Sequence, residues 1–359
     1  MTVDSAASPA AIPEAFRPET VHRRLIEAAP LRLAYRDGLD VAAWSAALRA
    51  KIVDLLGMPT YRGDAEIRLG QLEDRGDHTR SRLVFTAEPG AEVPCWLLRP
   101  KSVAGPLPVM ICLQGHTSGM HVSLGEEQHE GDRSAIAGDR DFGLQAVRHG
   151  YAALVLEMRA FGERRDDRPA AHRRTHDLAW TDDNRTCKHA AMTALLLGRT
   201  LLGERVFDLS RACDVIATLD DLDAGRICCV GQSGGGTVAW WAAAAEPRIA
   251  AVMVASCFAT VASSIASIDH CTDNYLPGML EWLEFADVAG AIAPRKALVV
   301  MGRKDHLFPL AGVEAAFEQA QRIYRAAGAA GGIDLVLGAE GHRFYAAEAW
   351  PAFERLLAR

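Results

Sequence analysis

Arg226-Ile-Cys-Cys-Val-Gly-Gln-Ser-Gly-Gly-Gly-Thr-Val-Ala-Trp-Trp-Ala-Ala-Ala-Ala245 is the stretch that decides the fold. Ile227 to Val230 is an apolar run of strand length, and Thr237 to Ala245 is an Ala-rich apolar run that favours helix. Gly231, Gln232, Ser233, Gly234 and Gly235 lie between them. A strand, a tight turn and a helix with a serine at the apex make a nucleophile elbow. The turn strains the backbone of its central residue, so the neighbours must lack bulk, and Gly231 and Gly235 supply that. The Ser233 hydroxyl then projects over the sheet end. The N–H of Gly234 sits at the helix start, where backbone donors are unpaired and negative charge is favoured. A GxSxG pentapeptide alone is a weak signal; its place between a strand and a helix makes it informative.

Two more residues follow later strands. Ala297 to Met301 reads as a strand that ends at Gly302-Arg303-Lys304-Asp305. Ile333 to Leu337 reads as the last strand and runs into Gly338-Ala339-Glu340-Gly341-His342. Serine, aspartate and histidine thus come in the chain order of α/β hydrolases, each where a parallel strand ends. A serine hydroxyl is a poor nucleophile until a base takes its proton, and imidazole titrates near neutrality. Asp305 is expected to orient His342 and stabilise its cation. Glu340 is the rival acid but shares a loop with His342. Val109 to Leu113 is a fully apolar strand, which suggests a central position. It leads into Gln114-Gly115-His116-Thr117-Ser118-Gly119, a loop that turns a backbone N–H toward the serine. The oxyanion donors are therefore assigned to the backbones of His116 and Gly234, with the His116 side chain packing or lining the pocket.

Composition bounds the rest. The chain has 359 residues, is 49% hydrophobic and carries a net charge of −7, with no dense Lys/Arg run. That argues against a nucleic-acid partner. No apolar run is long enough to span a membrane, and no basic start precedes an apolar core, so a cytoplasmic location is expected. Eight scattered cysteines without CxxC spacing read as reduced thiols. Cys228 and Cys229 fall in the buried strand; Cys187 and Cys271 flank polar segments, and one of them is a candidate neighbour of the site.

Residues 1–18 are expected to be a disordered tail. Residues 19–106 form an N-terminal helical extension with edge strands, and 107–359 the catalytic core with insertions at about 160–190 and 257–292. Within the extension, Leu39 to Leu56 has helical periodicity and a Gly57 stop, for packing or an oligomer contact. Arg80 to Thr86 and Val93 to Leu98 alternate as antiparallel strands. In the core, Asp141 to His149 is expected to be helical and Tyr151 to Leu156 a strand. Ala190 to Leu202 and Arg205 to Leu219 read as helices separated by Gly203. Arg159 and Glu163 are expected to pair with each other. Trp282 and Phe285, in the long 257–292 connection, suit a pocket wall or lid. His172, His176 and His189 sit among aspartates in a polar excursion, but without the flanking context of a zinc motif. Neither a metal nor a cofactor is expected.

Leu197-Gly198-Arg199-Thr200-Leu201-Leu202-Gly203-Glu204-Arg205, the Gly-Gln-Ser-Gly-Gly-Gly elbow, His270-Cys271 with Asn274-Tyr275-Leu276-Pro277-Gly278, Ala293-Pro294-Arg295, and Gly302 through Asp305 to Phe308-Pro309 resemble bacterial acetylxylan esterases of the α/β-hydrolase superfamily. They are similar, more distantly, to dienelactone hydrolases and cephalosporin-C deacetylases. The likeness runs from about Leu39 to the C-terminus. Lys296 departs from it, standing where the family often has proline, away from the three site residues. The resemblance implies a serine esterase with Ser233, Asp305 and His342 as nucleophile, acid and base and an oxyanion pair from His116 and Gly234. Short acyl, acetyl esters of a carbohydrate or small alcohol are the implied substrates. A methyl esterase or a lactone or dienelactone hydrolase on the same residues is the alternative, and a binding protein on a hydrolase fold is the reading from outside enzymes.

Overall fold

The computed structural model describes residues 13–165 and 183–359, with 183–186 as backbone. The chain begins with α1 (Pro18–Glu27) and α2 (Val41–Leu56), then β1 (Ile67–Asp74), β2 (His78–Glu88), β3 (Ala91–Pro100) and β4 (Leu107–Leu113). Next come α3 (Asp132–Ala137), α4 (Phe142–Arg148), β5 (Ala152–Leu156), α5 (Asp183–Leu196), α6 (Leu201–Ile216), β6 (Leu222–Gln232) and α7 (Gly234–Ala245). The remainder is β7 (Ile249–Ala255), α8 (Ala289–Ile292), β8 (Lys296–Gly302), α9 (Leu310–Ala326), β9 (Ile333–Gly338) and α10 (Ala346–Leu357). Residues 14–16 form a single 3₁₀ turn and α1 starts at Pro18, so this part of the expected tail is helical. Proline at the first helical position suits that start, since its missing N–H would be unpaired there anyway.

The strands form one nine-stranded sheet in the order β1-β2-β3-β5-β4-β6-β7-β8-β9. β1, β2 and β3 are antiparallel, and β5, β4, β6, β7, β8 and β9 run parallel. The central strands are near-continuous apolar runs because both faces are covered. On one face α4 and α10 pack with Met110, Val230, Met253 and Val300. On the other α2, α6, α7 and α9 enclose Ile111, Cys229, Val252 and Val299. This is the expected α/β-hydrolase architecture. β1 was not anticipated as a separate strand: most of it is exposed, so it lacks the apolar alternation by which an edge strand is read.

α2 follows its reading closely. Asp40 caps it, accepting from the N–H groups of Ala42 and Ala43 at 3.0 and 3.1 Å, and Gly57 ends it in the left-handed region at φ 56°. Its apolar face, Trp44, Leu48, Ile52 and Leu56, is buried within the chain. The break between α5 and α6 falls at Gly198 (φ 70°), and not at Gly203, which lies inside α6. Gly203 is small for packing: a Cβ there would collide with the carbonyl of Leu56 at the end of α2. Thr200 joins the same contact, donating to Leu56 O at 2.6 Å and accepting from Gly203 N at 2.8 Å.

Candidate active site

Ser233 caps α7 with φ 55° and ψ −124°, a conformation that L side chains rarely adopt. It is held from both sides. Its N–H donates to Ala255 O, at the end of β7, at 2.8 Å, and its carbonyl accepts from Thr237 N at 2.9 Å. The close approach of the elbow to the loop after β4 demands glycine: a Cβ on Gly235 would lie under 3.0 Å from the carbonyl oxygens of Leu113 and Gln114. The N–H groups of His116 and Gly234 donate to no backbone or side-chain acceptor among the described residues.

Asp305 and His342 meet as expected. His342 Nδ1 lies 2.9 Å from Asp305 Oδ2. Asp305 is only 4% exposed, and its other oxygen accepts from Leu307 N at 3.0 Å. The His342 ring stacks on Phe308, with centroids 6.1 Å apart. Ser256, one residue past β7, donates its hydroxyl to Arg343 O at 3.1 Å and its N–H to Val300 O. The end of β7 thus ties to the elbow on one side and to the His342 loop on the other. Glu340 is exposed and pairs with Lys304 at 3.4 Å, while the imidazole takes Asp305.

A cleft of about 1000 Å³ opens here, lined by His116, Ser118, Asp132, Arg140, His342 and Arg343 among others. Its far wall, residues 129–140, was not read from the sequence as part of a site. Asp132 organises that wall, accepting from Ser118, His121, Gln128 N and His129 N. Burial works to raise its carboxyl, but these hydrogen bonds bring it down to about 2. Trp282 and Phe285 do not wall the cleft. Phe285 is buried against Trp240, Trp241 and Phe258, and Trp282 lies beneath Lys51 and Arg32. Their aromatic content reads equally as lid or core until α2 and α7 are placed. Arg159 does not pair with Glu163 either. Arg159 donates to both oxygens of Asp208 and to Glu88, while Glu163 pairs with Arg82. Arg159 turns inward to α6 because Asp208 is a fully buried carboxylate that requires cationic partners, and Arg164 is the second.

Glu157, at the end of β5, supports the loop that carries His116. It accepts from Gln114 Nε2 at 2.6 Å and Met120 N at 3.2 Å. Burial pushes its carboxyl up to about 7, with Glu163 adding to the shift and Arg164 opposing it. The folded chain therefore holds this proton from its ordinary value of 4.5 up to about 7, while the unfolded chain releases it, so stability falls as pH rises through that window and levels off above it. Glu284, raised by burial to about 7, contributes in the same sense. Glu157→Gln is expected to flatten part of the fall in melting temperature across this window. A wild-type slope that persists unchanged in the variant would rule Glu157 out as its source.

Sequence reading missed Arg205 and Asp273, which lie directly below the elbow. Both are fully buried and joined at 2.5 Å, and Arg205 also donates to Arg159 O and to Cys187 Sγ. Asn274 holds Asp273, donating to its Oδ1 at 2.9 Å, and accepts from Thr237 of α7 at 2.8 Å. The signals were the polar Asp269 to Gly278 stretch in an otherwise apolar connection and the Leu197 to Arg205 motif, neither of which says that Arg205 and Asp273 meet. The suspicion about the two cysteines holds for both: Cys187, Cys271, His116 and Asp273 form one cluster. Burial alone would lower the pKa of His116, but the Asp273 carboxylate overrides it and raises it to about 10. His189 lies on α5, whereas His172 and His176 lie outside the described residues.

The sequence model of the acetyl xylan esterase (AXE1) family matches residues 63–291, well over half the chain. The chain belongs to the acetyl xylan esterase family. It is a carboxylic ester hydrolase on an α/β-hydrolase fold. It is 25% identical over 303 residues to YtaP of Bacillus subtilis (strain 168), a protein assigned as a hydrolase, covering 82% of this chain and 92% of that one. Among solved structures, BF1801 of Bacteroides fragilis NCTC 9343, assigned as an acetyl xylan esterase, superposes with a TM-score of 0.71 at 16% identity, covering 94% of this chain and 84% of that chain. A glucuronoyl esterase from Solibacter usitatus superposes with a TM-score of 0.65 at 14% identity, covering 91% and 96%. Among the described residues no helix is long and apolar enough to cross a membrane.

Proposed function

We propose that this esterase removes short acyl groups, acetyl above all, from a carbohydrate or another small alcohol, through a Ser233–His342–Asp305 triad. The observation that carries the reading is the pairing of a strained serine at a strand-to-helix turn with a His342–Asp305 hydrogen bond of 2.9 Å at the same sheet edge. Ser233 Oγ attacks the ester carbonyl as His342 Nε2 takes its proton, and Asp305 holds Nδ1–H and stabilises the imidazolium. The tetrahedral oxyanion rests on the N–H groups of His116 and Gly234. His342 returns the proton to the leaving alcohol. It then deprotonates the water that frees the acid from the acyl-enzyme.

Arg140 favours a second reading of the substrate. It lines the cleft, its Nε is buried without a hydrogen-bond partner among the described residues, and burial lowers its guanidinium pKa. A guanidinium so placed suits an ester whose other end carries an acid or a dense set of hydroxyls. Methyl esters of sugar acids belong to that class, and the methylesterase BT1017 shares the fold. Arg140→Ala is expected to raise KM for a carboxylate-bearing ester about tenfold while kcat holds, with little change for a neutral ester. An equal change for both esters would remove Arg140 from substrate recognition. The reading as a whole is tested by incubation with acetylated sugars and methyl uronates, with acetate and methanol measured separately. Acetate supports the deacetylase, methanol the methyl esterase, and release of neither defeats both.

A further inference from the structure

We propose that His116, Cys187, Cys271 and Asp273 bind a structural zinc ion beneath the nucleophile elbow. Each contributes one donor atom, and the four atoms lie within 4.8 Å of one another. His116 Nε2 is 3.2 Å from Asp273 Oδ2, and Cys187 Sγ is 3.8 Å from the same oxygen. A tetrahedron of thiolate, imidazole and carboxylate around zinc has edges of about 3.3–3.8 Å, given bonds of about 2.0–2.3 Å. The His116–Asp273 and Cys187–Asp273 separations match such edges, and the remaining donor pairs lie within 4.8 Å in the folded chain.

A second observation points the same way. His116 Nε2 is buried and makes no hydrogen bond among the described residues, although the Asp273 oxygen is only 3.2 Å off. A buried ring nitrogen left without a hydrogen bond beside a carboxylate oxygen suits a lone pair given to a cation that both share.

Charge agrees as well. Two thiolates and a carboxylate carry three negative charges. Zinc supplies two positive charges and the adjoining Arg205 guanidinium one, so the buried cluster is neutral when loaded. Arg205 already donates to Asp273 Oδ2 and to Cys187 Sγ, at 2.5 and 3.3 Å, which are the contacts of an outer residue that orients ligands. On binding, the zinc–ligand bonds form as both thiols and the imidazolium release their protons to water, with no change of oxidation state.

Four protein ligands leave no open position, so the ion takes no part in the ester chemistry. Its ligands come from three separate places, the loop after β4, helix α5 and the 3₁₀ turn at Thr272–Asn274. It joins them beside the elbow: a Cβ on Gly234 would lie 3.1 Å from His116 Nδ1. The ion thus fixes the backbone that carries the proposed His116 oxyanion donor.

The test is metal analysis of the full-length protein purified under reducing conditions, followed by chelator treatment and titration with Zn²⁺ or Co²⁺ alone. One zinc per chain is expected, or stoichiometric uptake by the stripped protein. The cobalt form should show thiolate-to-cobalt charge-transfer bands and tetrahedral d–d bands. Cys271→Ser, at the least buried cysteine of the cluster, should lose the charge-transfer intensity and most of the bound metal while its circular dichroism stays that of the wild type. Absence of metal together with failure of the reduced, stripped protein to take up either ion overturns the proposal. So does a Cys271→Ser variant that binds cobalt with unchanged bands. A Cys187–Cys271 disulfide that reforms in the presence of excess zinc also overturns it. The wild-type titration decides the matter even if the variant fails to fold.

Discussion

Ser233→Ala is expected to lower kcat for ester hydrolysis by about ten-thousand-fold or more, leaving only what binding and the oxyanion donors supply without a nucleophile. The fold should survive the change. Alanine carries the same Cβ as serine, so the φ of 55° is no more strained in the variant. No hydrogen bond to the Ser233 hydroxyl is lost among the described residues. Elbow geometry rests on backbone bonds, Ser233 N to Ala255 O and Thr237 N to Ser233 O, which alanine keeps. Melting temperature should shift little, and substrate or product should still bind with wild-type affinity. A fluorophosphonate probe should label the wild type at Ser233 and leave the variant unlabelled. Residual activity within tenfold of wild type on any ester the enzyme turns over would dismiss Ser233 as nucleophile.

Gly235→Ala carries the largest expected loss of stability, more than about 3 kcal/mol, because the added methyl group meets backbone and not movable side chains. Its Cβ would lie under 3.0 Å from the carbonyl oxygens of Leu113 and Gln114 and from the Gln114 carbonyl carbon. The loop after β4 would have to withdraw from α7, and the His116 backbone would withdraw with it. Stability and activity should therefore fall together. Gly331→Ala is the control: its Cβ meets only Cδ of the Arg359 side chain, at 3.7 Å, among the described residues, and a change within about 0.5 kcal/mol is expected. Urea midpoints of the two variants at an unchanged slope give the comparison directly. Equal midpoints would show that the elbow tolerates a side chain at 235.

The strands and helices nearest the chemistry were legible because their signals are local. β4, β7 and the Ile227 to Val230 part of β6 are continuous apolar runs, α2 carries its own cap and stop, and Ser233, Asp305 and His342 each follow a strand. Polar segments were legible only in part. Arg159 and Glu163 are close in sequence, and proximity alone suggests a pair. The buried Asp208 of α6 claims Arg159 instead, because an unpaired carboxylate in the interior costs more than a lost surface pair. Gly203 reads as a helix break by propensity, yet its lack of a side chain serves a contact with a helix some 150 residues earlier, at Leu56.

The sequence by itself determined the α/β architecture, the strand-turn-helix around Ser233 and the order serine, aspartate, histidine, since each depends on hydrophobic period and on residues within a few positions of one another. Only the tertiary structure decided what surrounds them. The 129–140 wall of the cleft, the Arg205–Asp273 pair below the elbow and the gathering of His116, Cys187 and Cys271 join segments far apart in the chain. Their cause is the burial of polar groups, which must find partners wherever the packed sheet and helices bring them, and no local pattern records who those partners will be.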